Sequence, residues 1–336
     1  MMRKGEGDLA KIDPWLIDPE SLAFDWAGDV LPLAFVDLDS WKSEPSSLRL
    51  PPFPVIGRGD PAHPAAHLLD AVIDGPVPGR TLVEQVTRHP NAAAAAVQLL
   101  RSIEGLPIDR ALTFESLCYG MLQGSAEHAP WLDTKLDFAG ELRTAGRILA
   151  TREGSVLRIL IDRPQLNAID RGMRDGLFEA FSVAALDPDI SLVELRSTGR
   201  VFSIGADLAE FGTTRDPVTA HQIRCLTLPA HPLSRCAGIV DVHVQGPCIG
   251  AGLEMAAFAG RVTASPYAWF QLPELQMGLI PGAGGCVSVS RRIGRQRAAL
   301  MILSGRRINA AIALRWGLID AIEDQPPVDP GRADDD

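Results

Sequence analysis

The sequence predicts an α/β protein, and three observations carry that prediction. First, three strand-like runs, SVLRILIDRP (155–164), ISLVELRSTG (190–199) and GIVDVHVQG (238–246), are interleaved with helical ones such as RGMRDGLFEAFSVAALD (171–187). Strand and helix in alternation is the pattern of an α/β core. Second, further helical runs such as RQRAALMILSG and NAAIALRWG each stop at a glycine, the usual C-terminal stop. Third, 336 residues, 46% apolar and 22% charged, suffice for one large or two medium domains.

Composition excludes several classes of function. No apolar run reaches the roughly 18–20 residues that span a bilayer, so no membrane partner is expected. The start, MMRKGEGDLAKIDPW, has basic residues with no apolar stretch behind them and does not read as a secretory signal. Five cysteines, Cys118, Cys225, Cys236, Cys248 and Cys286, form no CxxC pair. That pattern argues against a zinc site or a disulfide framework and suits a reducing cytoplasm. The net charge is −10, with an acidic end at Asp334, Asp335 and Asp336, and no basic cluster sits among aromatics. Nucleic acid is therefore not an expected partner.

Taken in order, residues 1–80 form a poorly assigned segment. LPLAFVDLDS (31–40) reads as a strand and PPFPVIGRGD (51–60) as a second extended piece, because the prolines between them oppose helix. A short apolar helix fits 65–73. His63 and His67 share an i, i+4 spacing that suits a metal, but no third ligand is in view, which disfavours that reading. Residues 81–140 read as helical. TLVEQVTRHP gives one helix ended by Pro90; Asn91 then caps NAAAAAVQLLRSIEG, which stops at Gly105. The next helix carries Leu112, Leu117, Met121 and Leu122 as its apolar positions, with Glu115 read as a solvated, structural acid. LDFAGELRTAGRILA is a linker helix or an approach to a strand. FSIGADLAEF (202–211) begins as a loop and becomes helical.

The stretch from Gly246 to Gly285 stands out. Gly250, Ala251 and Gly252 open an apolar run holding one carboxylate, Glu254, and Glu274 is a second lone acid in FQLPELQMGLIPG. An unpaired buried carboxylate is costly, so each either finds a partner or takes up a proton. Both tuned acid/base chemistry and simple bonding to backbone amides fit. The turns Ser203–Asp207 and Gly250–Gly252 each follow a strand and precede a helix. They are either ordinary helix-initiating turns or a pair of amides aimed at one carbonyl oxygen, an oxyanion hole.

Residues 146–323 resemble the enoyl-CoA hydratase/isomerase (crotonase) superfamily. The resemblance lies in DRPQLNAID (162–170), FSIGADLAEF, VQGPCIGAGLEMA, FQLPELQMGLIPGAGG and LSGRRINAAIALRWGLID (303–320), in family order. It implies a crotonase-like spiral of ββα units, an acyl-CoA thioester as substrate and partner, and no cofactor or metal beyond the CoA of the substrate. It also implies a homotrimer or hexamer. By motif position it assigns the oxyanion amides to Ala206 and Ala251, beside Gly205 and Gly250, and the glutamates flanking the substrate double bond to Glu254 and Glu274. The implied reaction is hydration of a 2-enoyl-CoA, as in fatty acid metabolism. An enoyl-CoA isomerase or another acyl-CoA lyase, and a non-catalytic binding subunit of the same fold, are the alternatives. Trp269 and Phe270 are read as packing rather than as the wall of an acyl pocket.

Three departures from the family pattern bear on the site. Ala251 stands where a glycine is common, and a positive φ there would strain the turn by about 1 kcal/mol. Gly260 replaces a frequent acid. The chain also lacks some sixty residues of helix that usually follow the GLID-like segment, while 324–336 reads as an acidic flexible tail. Residues 81–132 resemble that missing region in order and helix length. Two expectations follow, a permutation-like replacement or an unrelated helical extension.

Overall fold

A computed structural model describes residues 12–23, 28–42, 47–134, 144–164 and 166–325. The start of the chain at 1–11, the linker at 135–143, Gln165 and the tail at 326–336 lie outside the described residues.

The N-terminal segment holds a small parallel sheet, β1 (Ala34–Asp37), β2 (Val55–Arg58) and β3 (Ala71–Val72), in that spatial order. Both extended runs expected before residue 60 are thus strands. The helix expected at 65–73 shrinks to a 3₁₀ turn, Ala66–Leu68, because Leu69 turns extended and leads into β3. Buried Asp70 ties this sheet to the helices: it accepts from the Val55 amide at 2.8 Å and pairs with Arg101 at 2.6 Å. His63 and His67 do not form a metal pair. The His63 ring bonds the Trp41 carbonyl and the Ala65 amide, and His67 bonds the Pro64 carbonyl.

Four helices follow: α1 (Gly79–Val86), α2 (Pro90–Ile103), α3 (Ile108–Gln123) and α4 (Ala129–Thr134). Pro90 opens α2 rather than closing α1, since a first-turn residue needs no N–H. Asn91 is not the cap. Its amide and that of Ala92 donate to the Glu127 carboxylate at 2.8 and 3.0 Å, a capping group supplied from another part of the chain. The apolar stripe assigned to α3 is also corrected. Leu112 and Leu122 are buried, but Leu117 and Met121 are 50% and 63% exposed. The buried face runs through Ala111, Leu112, Glu115, Ser116 and Leu122, at the 3–4 spacing of a helix.

The remaining chain builds two sheets. Strands β4 (Arg147–Glu153) and β5 (Val156–Asp162) form an antiparallel hairpin. After them come α5 (Arg171–Leu186), β6 (Leu192–Ser197), α6 (Pro217–Thr227), α7 (Ala230–Cys236), β7 (Val240–Val244) and β8 (Pro247–Ile249). Next are α8 (Ala251–Ala256), β9 (Arg261–Ala264), β10 (Trp269–Gln271), α9 (Gly285–Ile293) and α10 (Arg295–Ser304). The last elements are β11 (Ile308–Asn309), α11 (Ala310–Trp316) and β12 (Ala321–Ile322). Six strands pair in the order β12-β9-β7-β6-β5-β4, all parallel beyond the hairpin, and β11-β10-β8 make the second sheet. FSIGADLAEF reaches only a single 3₁₀ turn, Leu208–Glu210.

The N-terminal helices share one apolar core with these sheets, in which Leu82, Ala96, Leu100 and Leu112 pack together with Leu300, Ile302 and Phe270. Gly260 also has a packing reason. A Cβ there would stand 2.9 Å from the Gly238 carbonyl oxygen, so no acid fits.

Candidate active site

Two turns meet side by side, joined where the Ile249 amide donates to the Ser203 carbonyl. Strand β8 ends at Ile249, and Gly250 reverses the chain with φ +49° before α8 begins at Ala251. Opposite it, Gly205 has φ +94°, and the point where its Cβ would stand lies 3.5 Å from the Ala251 amide nitrogen. The left-handed conformations thus fall on Gly205 and Gly250, where they cost little. Ala251 is the first residue of the helix and has no positive φ, so the strain considered for it is absent.

The amides are presented by local geometry. Ile169 bridges to the second turn by donating to the Gly205 carbonyl and accepting from the Asp207 amide. In an extended segment successive amides point to opposite sides, so the Ala206 N–H faces away from Ile169. Ala251 stands at a helix start, where N–H groups lack an intrahelical partner. Among the described residues neither amide donates to a protein acceptor. Both residues, with Gly205 and Gly250, line a cavity of about 270 Å³.

The two glutamates border the same cavity. Glu254, in α8, is buried; its Oε2 accepts from the Ala283 and Gly285 amides at 2.6 and 2.8 Å. Burial pushes its carboxyl up to about 7 against the opposing pull of those amides. Glu274 opens the 3₁₀ turn Glu274–Met277. Its Oε1 lies 2.8 Å from the point where a Cβ on Gly250 would stand, and its Oε2 is buried and unbonded among the described residues. Burial, and then the neighbouring Glu254, hold the Glu274 carboxyl well above the ordinary glutamate range.

All six residues singled out in the sequence therefore gather at one cavity. The N-terminal helices supply side chains that sequence reading missed. Tyr119 and Gln123 from α3, and His128, line the cavity with Arg224 from α6. The Tyr119 ring packs against Gly282 and has the Arg224 guanidinium 4.7 Å from its centroid. Arg224 donates in turn to the Ser116 hydroxyl at 2.9 Å, and buried His128 bonds the Met277 carbonyl at 2.7 Å. Glu115 is not solvated. It is 1% exposed, accepts from the Gly284 and Cys286 amides, and lies close enough to Glu254 to raise its own carboxyl, after burial, well above the usual range. A signal for it existed: Glu115 keeps helical register with Ala111, Leu112 and Leu122. Trp269 and Phe270 stand outside the cavity lining. Phe270 is fully buried, and Trp269 stacks with Arg307 at 4.0 Å.

Residues 151–328 match the family model described as Enoyl-CoA hydratase/isomerase. The chain belongs to the enoyl-CoA hydratase/isomerase family, and its core has the crotonase fold. It is 31% identical over 179 residues to a carnitinyl-CoA dehydratase of Proteus mirabilis, covering 51% of this chain and 66% of that protein. It is 32% identical over 176 residues to a 2,3-dehydroadipyl-CoA hydratase of Escherichia coli, covering 52% and 68%. The chain thus spans about two thirds of the length of these relatives. Among solved structures, Pseudomonas aeruginosa DspI aligns with a TM-score of 0.49 at 29% identity, over 55% of this chain and 77% of that one.

Proposed function

We propose that this protein is an acyl-CoA lyase that hydrates a 2-enoyl-CoA thioester. The observation that carries this reading is the convergence on one cavity of buried Glu254, of Glu274 with its buried Oε2, and of two unengaged amides. The thioester oxygen docks between the Ala206 and Ala251 amides, which stabilise negative charge on that oxygen as an enolate-like state develops. Glu254, its Oε2 held by two amides, takes a proton from a water that adds to the β-carbon. Glu274, kept protonated by burial and its like-charged neighbour, delivers a proton to the α-carbon. One water is added across the double bond and no redox change occurs. CoA enters as part of the substrate, and the mechanism uses no separate cofactor or metal.

A second reading, an enoyl-CoA isomerase, is favoured by the unbonded Oε2 of Glu274. A lone carboxyl of that kind can move a proton along the acyl chain without water. The experiment is the ultraviolet absorbance of a short 2-enoyl-CoA mixed with the protein and, separately, with Glu274→Gln. Loss of the conjugated-thioester signal with wild type only supports hydration. An unchanged signal with a 2-enoyl substrate, but a rising one with a 3-enoyl substrate, favours isomerisation. Binding without either change leaves the non-catalytic reading.

We also infer that residues 81–132 stand in for the helices that cover the site in relatives, since Tyr119, Gln123 and His128 line the cavity from within the same chain. Self-association as a trimer or hexamer and a cytoplasmic place in fatty acid metabolism belong to the same proposal. The exposed Phe114, Leu117 and Met121 on α3 support the first, and light scattering tests it. No helix among the described residues is long and apolar enough to cross a membrane.

A further inference from the structure

Four successive amides at the start of α9 are divided alternately between two carboxylates. Ala283 and Gly285 donate to Glu254 Oε2 at 2.6 and 2.8 Å. Gly284 and Cys286 donate to Glu115 Oε1 and Oε2, at 2.7 and 2.8 Å. Glu254 comes from α8 of the core, and Glu115 from α3, 169 residues away from Gly284 in the chain. The first amides of a helix have no intrahelical acceptor, and both carboxylates are buried, so each depends on this set.

We propose that Glu115 is a positioning residue for Glu254, holding the 283–286 backbone so that two of its amides face the Glu254 carboxylate. This rests on the hydration reading above. Without Glu115, the Gly284 and Cys286 amides lose their buried acceptors. The nearest remaining carboxylate is then Glu254, and rotation of the glycine-rich peptide planes toward it would displace its oxygens. A misplacement of this kind lowers the rate of the chemical step more than it lowers binding.

The two carboxylates also share an electrostatic environment. Facing them are Glu274 from its 3₁₀ turn, Cys118 and Tyr119 from α3, Arg224 from α6 and Cys286 from α9. Arg224 is the basic group of this set, and it is bonded to Ser116, the residue after Glu115. The Glu254 charge raises the Glu115 carboxyl, whereas Glu254 itself is raised by burial, so Glu115 acts on Glu254 through the shared amides rather than through its charge.

The test is the pH profile of kcat for wild type, Glu115→Gln and Glu115→Asp, together with titration of the glutamate carboxyls by carbon-13 NMR, with Glu254 assigned by loss of its signal in Glu254→Gln. In Glu115→Gln we expect kcat to fall about 10- to 100-fold with KM within a factor of about three. The rising limb and the Glu254 midpoint should both move down, because a glutamine leaves one of the Gly284 and Cys286 amides free to turn to the ionised Glu254 carboxylate. Glu115→Asp keeps both acceptor oxygens on an arm one methylene shorter, so its kcat should fall with the limb in place. It decides the matter if Glu115→Gln does not fold. A loss of melting temperature with unchanged kcat, limb and midpoint would overturn the proposal, because a purely structural cap predicts that result. If wild type turns over no enoyl-CoA, the hydration reading fails, and the NMR midpoint still decides whether Glu115 governs Glu254.

Discussion

Glu274 Oε1 lies 2.8 Å from the point where a Cβ on Gly250 would stand, and Gly250 holds φ +49°. One glycine therefore serves two needs: it turns β8 into α8, and it leaves room for a buried carboxylate. Gly250→Ala should cost about 1–2 kcal/mol for the left-handed alanine alone. It should also push Glu274 aside and lower kcat about 100-fold. Urea unfolding and steady-state kinetics of the same preparation separate the two effects.

Glu254 must be ionised to accept a proton from water, and burial raises its carboxyl to about 7. The rate of hydration should therefore climb tenfold per pH unit below about 7 and level off above it. Glu274 sits well above the ordinary glutamate range and acts in its protonated form, so a falling limb is expected at higher pH. A pH–rate profile that is flat from 5 to 7 would contradict the assignment of Glu254 as base.

The same shift has a consequence for stability. The Glu254 carboxyl is raised in the folded state, from 4.5 to about 7, so the folded protein binds the proton more tightly than the unfolded chain. Its contribution to stability is complete below about pH 4.5 and is lost as pH rises through about 7. Glu254→Gln removes this titration. The melting temperature of the variant minus that of wild type should increase from pH 5 to pH 8, whatever its sign at pH 5. Calorimetry at the two pH values checks it.

Glu127 caps α2 from a distance, accepting from the Asn91 and Ala92 amides. Glu127→Ala should lower stability by about 1 kcal/mol, the usual cost of losing a helix cap. Asn91→Ala, which leaves both backbone amides in place, should cost much less. Paired denaturation curves distinguish a cap at Asn91 from one at Glu127.

Much of this architecture was legible from residues alone. The strands at 156–162, 192–197 and 240–244, and the glycine stops after α10 and α11, follow from period and from local backbone chemistry. Two assignments that differ from the structure share a cause. A cap at Asn91 and a stripe through Leu117 and Met121 follow from neighbours in sequence, whereas the Glu127 cap and the exposure of Leu117 are set by how separate elements meet.

The α/β core, the two glycine turns, and Glu254 and Glu274 as lone acids in apolar runs can be read from local stretches of residues. These are properties of short segments: side-chain volume, φ preference and the cost of burying charge act on whatever residues stand there. The role of Glu115, and the placing of Tyr119, Gln123 and His128 in the cavity wall, arise from packing between distant segments. An acid on a helix is solvated or buried according to what packs on its face. For Glu115 that is α9, bonded to it through Gly284, 169 residues further along the chain. No local pattern records a contact of that span, because the free energy that holds it arises only when both segments leave water together.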